Sequence, residues 1–233
     1  HQALARLWQL VWHLVAHAPD RMAAPKERTT YHHGDLRQAL IQAGMALARE
    51  GGPQAIVLRE ATRRAGVAPN AAYRHFASRE ALFAAVRAAA LGALAQAIEE
   101  EMATARQLQD ASARARALLS AVGRGYLGFA WRETGWFRTA FASGEHDVAV
   151  PTDPIRTAAM GLNPYELLGY ALDAMCAAGV LAPERRPGAE FLAWSSVHGM
   201  ALLSIDGPLR HAPIPAREAL AARLLEMVEK GLQ

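Results

Sequence analysis

The 233-residue sequence holds one cysteine, Cys176. A single thiol excludes an intrachain disulfide framework and a Cys-rich zinc site, and it fits the reducing cytoplasm. It reads as a packing residue rather than a nucleophile. A large excess of charge of one sign is also lacking, with a formal net of +3. The sequence contains no P-loop, no G-x-G-x-x-G, no H-E-x-x-H and no G-x-S-x-G elbow, so the common phosphate, dinucleotide, zinc-protease and hydrolase signatures are all missing. There is no internal repeat, low-complexity tract or long linker, and no sustained period-2 alternation of the kind strands show.

Hydrophobic residues nevertheless make up 52% of the chain while aromatics make up 7%. Alanine supplies much of that apolar content, which suits closely packed helices. The expected fold is all-α. Helical periodicity predicts helices over about 36–50, 58–65, 70–76, 79 to beyond 100, 110–132, 134–142, 163–180, 188–205 and 215–231. Gly and Pro clusters separate them, with a long polar loop near 141–164. Ser78 is the expected N-cap of the fourth helix, with Glu80 in its first turn.

The N-terminal "LARLWQLVWHLVAHA" imitates a signal peptide. Its apolar stretch is broken by Gln9 and His13 and is too short to span a bilayer. Leu4, Leu7, Val11, Leu14 and Val15 share one helical face, with Trp8 beside them. Met22 opens a polar lead-in, so residues 1–21 read as a leader of uncertain origin; an amphipathic helix is the second reading and export the third.

Charge is unevenly placed. Residues 26–79 hold nine Lys/Arg against four acids, a net of +5, and the remainder holds sixteen against eighteen, a net of −2. That is the footprint expected where a chain meets nucleic acid. The same region carries "VLREATRRAGVAPNAAYRHF" at 57–76. Leu58, Ala61, Thr62 and Ala65 give a first short helix a buried face of small residues. Gly66 permits a left-handed turn, Val67 plugs the corner, and Pro69 presets the start of a second short helix. Two such helices make a helix-turn-helix, with the N-terminus of the second at base edges in a major groove. Pro69, Asn70 and Ala71 would face the bases, and Asn can pair bidentately with adenine. Tyr73, His75, Arg79 and Arg59 are placed to reach sugar-phosphate.

The string "AGVAPNAAYRHFASREALFAAV", preceded by "YHHGDLRQALIQAGMALAREGG", closely resembles the N-terminal domain of TetR-type transcriptional regulators. The resemblance covers about residues 31–85 and rests on Gly66-Val67, Tyr73-Arg74-His75-Phe76 and Arg79. It implies base-edge or phosphate contact at Arg59, Pro69, Asn70, Ala71, Tyr73 and His75, with Arg79 near the DNA backbone. Two departures stand out: Val57 replaces a Thr that commonly touches phosphate, and Ala61-Thr62 replaces an Ile-Ala pair.

Beyond residue 86 the candidates are weaker. His198, Asp206, Ser195, Ser196 and Ser204 lie on one helical pattern, without the strand-turn-helix that exposes a nucleophile. His32, His33 and Asp35 suggest a metal cluster, but the family resemblance accounts for that string without metal. Trp131, Trp136, Phe137, Phe141, Tyr170, Met175, Trp194 and His198 cluster on four helices and would line a ligand cavity between them. "YLGFAWRETGWFRTAFASG" and "FLAWSSVHGMALL" resemble the C-terminal domain named for its Trp…His-Gly motif, through Trp194, His198 and Gly199. The resemblance implies a sensor of small molecules. Ala193, Ser196, Met200 and Leu203 on the eighth helix, with Leu220, Leu224, Met227 and Val228 on the ninth, form the expected two-fold dimer interface.

These features define an expectation: a cytoplasmic, ligand-responsive regulator, a repressor with an activator as the alternative, acting as a homodimer on palindromic operator DNA. Its effector would be an apolar or aromatic small molecule; no cofactor, metal or membrane is implied. The domains would be a leader at 1–21, a reader at 30–85 and a sensing and dimerisation domain at 86–233. The competing class is a helical enzyme or carrier with an incidental helix-turn-helix-like turn.

Overall fold

The computed structural model describes residues 30–142 and 159–233, with side chains from residue 36 onward in those stretches. The leader at 1–21, the side chains of His32, His33 and Asp35, and most of the polar loop lie outside them. Nine α-helices and no strand occur among the described residues. They are α1 (Thr30–Gly51), α2 (Leu58–Ala65), α3 (Pro69–Tyr73), α4 (Arg79–Ala105), α5 (Ala111–Arg132), α6 (Thr134–Ala140), α7 (Pro164–Ala177), α8 (Ala189–Ile205) and α9 (Ile214–Leu232). The fold is all-α.

Helix boundaries follow local chemistry. Ser78 Oγ accepts the Ala81 N–H at 3.2 Å and so caps α4. Asp110 does the same for α5 through the Ala113 N–H at 2.7 Å. A reciprocal Asn163–Glu166 capping box opens α7. Helix α3 is shorter than its apolar pattern predicts, ending at Tyr73 rather than 76, and Phe76 turns into the core instead.

The chain divides into two compact units. One holds the described residues 30–90 and 135–142, and the other holds 91–134 and 159–233. In unit 1, α1 packs on α2 and α3 around Leu40, Ile41, Ile56, Leu82 and Phe76. In unit 2, α5 packs against α7, α8 and α9, with Leu118, Leu127, Leu167 and Leu172 fully buried. Each such side chain contributes about 1.5–3 kcal/mol on burial, more than a typical surface ion pair.

Helix α4 contributes residues to both units: Leu82 and Val86 to the first, Leu94, Ile98 and Met102 to the second, all fully buried. By length and composition it is apolar enough to cross a membrane. Its large apolar side chains instead build protein core, and 44% of its most apolar window is buried.

Two stretches that the sequence reading places in the sensing domain, residues 86–90 of α4 and 135–140 of α6, fall in unit 1. Gly135 lies flat on the C-terminal turn of α1, where a Cβ would collide with the Ala48 carbonyl and sit 2.5 Å from that of Arg49. Next to it the Trp136 indole N–H donates to the Met45 carbonyl at 2.7 Å, and the Arg49 guanidinium lies over the indole ring. Arg87 Nε donates to the Ala140 carbonyl at 3.0 Å. No composition signal marks that return.

Candidate functional site

Helices α2 and α3 meet at a tight turn. Gly66 adopts φ 67° and ψ 30°, a left-handed conformation that disfavours any residue with a Cβ. Its N–H and that of Val67 return to the carbonyls of Arg63 and Thr62 at 3.3 and 3.1 Å, closing α2. Ala72 is fully buried, which fixes the rotation of α3. Pro69, Asn70 and Tyr73 therefore point to solvent, with Tyr73 57% exposed despite its size. Ala71 and His75 are half-buried beside them.

The arginines of this unit differ in what they face. Glu60 accepts bonds from Arg63 (2.7 and 2.9 Å) and from Arg64 (3.2 Å), and Arg64 also grips Glu50 at 2.7 Å. The hydrogen bonds from Arg63 and then Arg64 draw the Glu60 carboxyl down to about 2. These two arginines are largely neutralised by acids. Arg59 and Arg74 are exposed and make no ion pair among the described residues, so their charge is available to an anion. A shallow hollow of about 610 Å³ runs beside Arg59, floored by Val57, Val67 and Pro69.

Arg79, placed near the DNA backbone by resemblance, is occupied within the protein. Its Nε donates to the Ile56 carbonyl at 2.9 Å and its Nη2 to the Pro53 carbonyl at 3.3 Å. In the sequence Arg74 figures only as part of the Tyr73-Arg74-His75-Phe76 string; its exposure at the end of α3 is visible only once Ala72 and Phe76 are known to face inward.

The aromatic candidates for a ligand cavity separate between the units. Trp136, Phe137 and Phe141 belong to unit 1, where Phe137 is buried and its ring centroid lies 4.9 Å from that of Phe141. Trp131, Tyr170, Met175, Trp194 and His198 belong to unit 2. There Met175 is fully buried core and Tyr170 is exposed. Trp131 is half-buried, with the Arg217 guanidinium 5.5 Å above its ring. The reason for the separation is the docking of α6 on α1, which the helical periodicity of α6 does not encode.

Unit 2 does join Trp194 and His198, through Tyr126. The Trp194 indole N–H donates to the Tyr126 hydroxyl oxygen at 3.0 Å, and that hydroxyl lies 2.7 Å from His198 Nδ1. Burial lowers the His198 pKa and so favours the neutral ring, and the imidazole tautomer sets which partner donates in the Tyr126–His198 hydrogen bond. Burial likewise pushes the Tyr126 phenol above its usual range, with the Trp194 hydrogen bond opposing it. Tyr126 opens the "YLGFAW" string, and nothing in the spacing of α5 pairs it with α8.

The serines near His198 serve their own helix. Ser195 and Ser196 donate to the Leu192 carbonyl, and Ser204 donates to that of Met200. Of the expected interface residues, Leu203, Leu220 and Met227 are exposed, while Ser196, Met200, Leu224 and Val228 are half-buried. Ala193 is corrected: it is buried within its own unit and faces inward.

A left-handed Gly turn between two short helices, with an exposed recognition face and uncompensated arginines beside it, defines a DNA-binding protein of the helix-turn-helix class. Family comparison matches residues 40–86 to the bacterial regulatory proteins of the tetR family and residues 119–228 to the tetracyclin repressor-like C-terminal domain. The chain belongs to the TetR family: it is a DNA-binding transcriptional regulator, not an enzyme.

Two solved structures agree on the fold. A protein of unknown function from Rhodococcus sp. RHA1 is 24% identical with a TM-score of 0.65, over 88% of this chain and 99% of that one. RolR, solved in complex with the ligand resorcinol, is 15% identical with a TM-score of 0.56, over 85% and 90%. The TetR transcriptional regulator SCO0520 from Streptomyces coelicolor is 25% identical over 84% and 98%, with a TM-score of 0.44. No curated protein matches.

Proposed function

We propose that this regulator is a cytoplasmic, ligand-responsive repressor. A homodimer occupies a palindromic operator and leaves it when a small apolar or aromatic effector binds unit 2. The observation that carries the DNA half of this reading is the outward face of α3. Pro69, Asn70 and Tyr73 are exposed while Ala72 anchors the helix, and unpaired Arg59 and Arg74 flank it. Asn70 supplies base readout; Tyr73, His75, Arg59 and Arg74 supply phosphate contact. Ala71 and Pro69 offer only apolar contact to thymine methyls.

One such helix reads few base pairs, so two half-sites about one helical turn apart are required for useful specificity. The exposed apolar residues of α8 and α9 support the dimer. Leu203 is 46% exposed and Met227 60%, with Leu220 and Leu192 beside them in kind. A concentration of large exposed side chains on two helices is unusual for a surface facing only water.

The effector half rests on Tyr126, Trp194 and His198, which place polar handles among aromatic faces inside unit 2. A fold neighbour solved with resorcinol makes small phenols the first class to test. Release requires an effector that binds the non-operator conformation more tightly. Helix α4 is continuous across residues of both units and is the element that would carry the change. The test is to select operator duplexes from a random pool, then titrate resorcinol and simple phenols into the complex. Saturable release that weakens in His198→Ala and Trp194→Phe supports the reading. An operator complex indifferent to every phenol at millimolar concentration contradicts the effector class.

A further inference from the structure

We infer that Arg79 is a positioning residue, a forked strap that holds the start of α2 at the DNA, and does not act as a phosphate contact. This rests on the DNA-reading assignment above. The physical need is visible in the backbone. Helix α2 begins at Leu58 with Val57 as its N-cap residue, and no side chain caps its first N–H groups. A Ser, Thr, Asp or Asn there would accept a bond from those groups, and the valine side chain has no oxygen to offer. Val57 is also 44% exposed, so it is not anchored by burial. What precedes it is a single 3-10 turn, Pro53–Ala55, and the extended residue Ile56.

Ile56 is fully buried and fixes one point of this segment. Arg79 fixes its carbonyls. Nε–H donates to the Ile56 oxygen and Nη2–H to the Pro53 oxygen, from the first residue of α4. Two acceptors three residues apart are met by one planar fork, which an ammonium cannot reproduce. The first turn of α2 carries Arg59, one of two exposed arginines beside the α3 face that make no ion pair among the described residues. The strap therefore ties the first turn of α4 to the segment that places Arg59 and, through the Gly66 turn, α3.

The experiment compares the full-length protein with Arg79→Lys, Arg79→Gln and Arg59→Gln. Affinities for a selected operator and for a random duplex are measured across a salt series. Binding of the unaltered protein to a selected operator tests the DNA-reading assignment by itself; the differences among variants test the strap. The expected result is that Arg79→Lys and Arg79→Gln lose operator affinity about equally, by roughly tenfold or more, since both lose the two hydrogen bonds of the fork. Their salt slopes match each other, because both variants lose the same fork and the placement of Arg59 with it, whether or not the charge at position 79 is kept. Arg59→Gln is the contrasting control, with a slope shallower by about 0.9 for one lost phosphate contact. Hydrogen exchange should also quicken at the Ala61 and Thr62 amides in Arg79→Lys, which keeps the charge and loses the fork. The inference is overturned if Arg79→Lys binds operator like the unaltered protein while Arg79→Gln shows the shallower slope. Global unfolding of Arg79→Lys would overturn it too, because a strap on one surface segment is not a determinant of the core.

Discussion

The Tyr126 hydroxyl stands 2.7 Å from His198 Nδ1 while accepting the Trp194 indole N–H at 3.0 Å, so one phenol holds two residues of α8 against α5. Tyr126 is almost wholly buried. Tyr126→Phe keeps the ring and removes the oxygen shared by the Trp194 indole N–H and His198 Nδ1. The expected loss is about 1–3 kcal/mol, seen as a lower urea midpoint with an unchanged m-value.

The same contact sets a pH dependence. Burial depresses the His198 pKa below its ordinary 6.5, so the unfolded chain takes up a proton before the folded one does. Its contribution is intact above that value and is lost as pH falls through 6.5 toward the folded pKa. Urea midpoints measured from pH 7.5 down to about pH 5 should fall, and the His198→Asn variant should show a shallower decline over that window. An unchanged slope in the variant would remove His198 from the account.

The docking of α6 on α1 can be tested by one methyl group. In Gly135→Ala the new Cβ meets backbone carbonyls of Ala48 and Arg49, which cannot swing aside. Destabilisation of about 1–3 kcal/mol or more is expected, with a matching drop in thermal midpoint. Trp136→Phe, which removes the N–H donated to Met45 and keeps most of the ring, should cost less.

At the DNA face, Asn70→Ala is expected to change which operator is preferred, at about 1–3 kcal/mol for the base it reads, while random-duplex affinity is little altered. Competition binding with single-base operator variants checks this. Equal loss on operator and random DNA would assign Asn70 to the backbone instead.

For the dimer, Met227→Glu places a charge at a position 60% exposed in the protomer, so it should leave the folded unit intact. Sedimentation should show monomers that keep the helical circular dichroism of the unaltered protein, with operator affinity sharply reduced. A dimer that survives the substitution would move the interface elsewhere. Leu224, half-buried within its own unit, is a poorer probe because its substitution would disturb packing as well.

Much of this architecture is legible from periodicity and punctuation. Ser78, Asp110 and Gly66 mark helix ends by local chemistry, so α2, α4 and α5 fall close to where the sequence places them. What sequence cannot carry is partnership at long range. Nothing around Trp136 says that its N–H belongs to Met45, ninety-one positions away. Nothing in α5 says that Tyr126 serves α8. Arg79 shows a third kind of limit: the motif places a cation at the start of α4, and whether its fork meets phosphate or carbonyl depends on where Pro53 and Ile56 lie.

The most direct test of the account is binding of the unaltered protein to a selected duplex and to a random one across a salt series, with the stoichiometry measured by sedimentation. The account expects two protomers on a two-fold symmetric site, held roughly 10³-fold or more tighter than random DNA, with affinity falling steeply as salt rises. Equal affinity for both duplexes, or a single protomer on an asymmetric site, would contradict it.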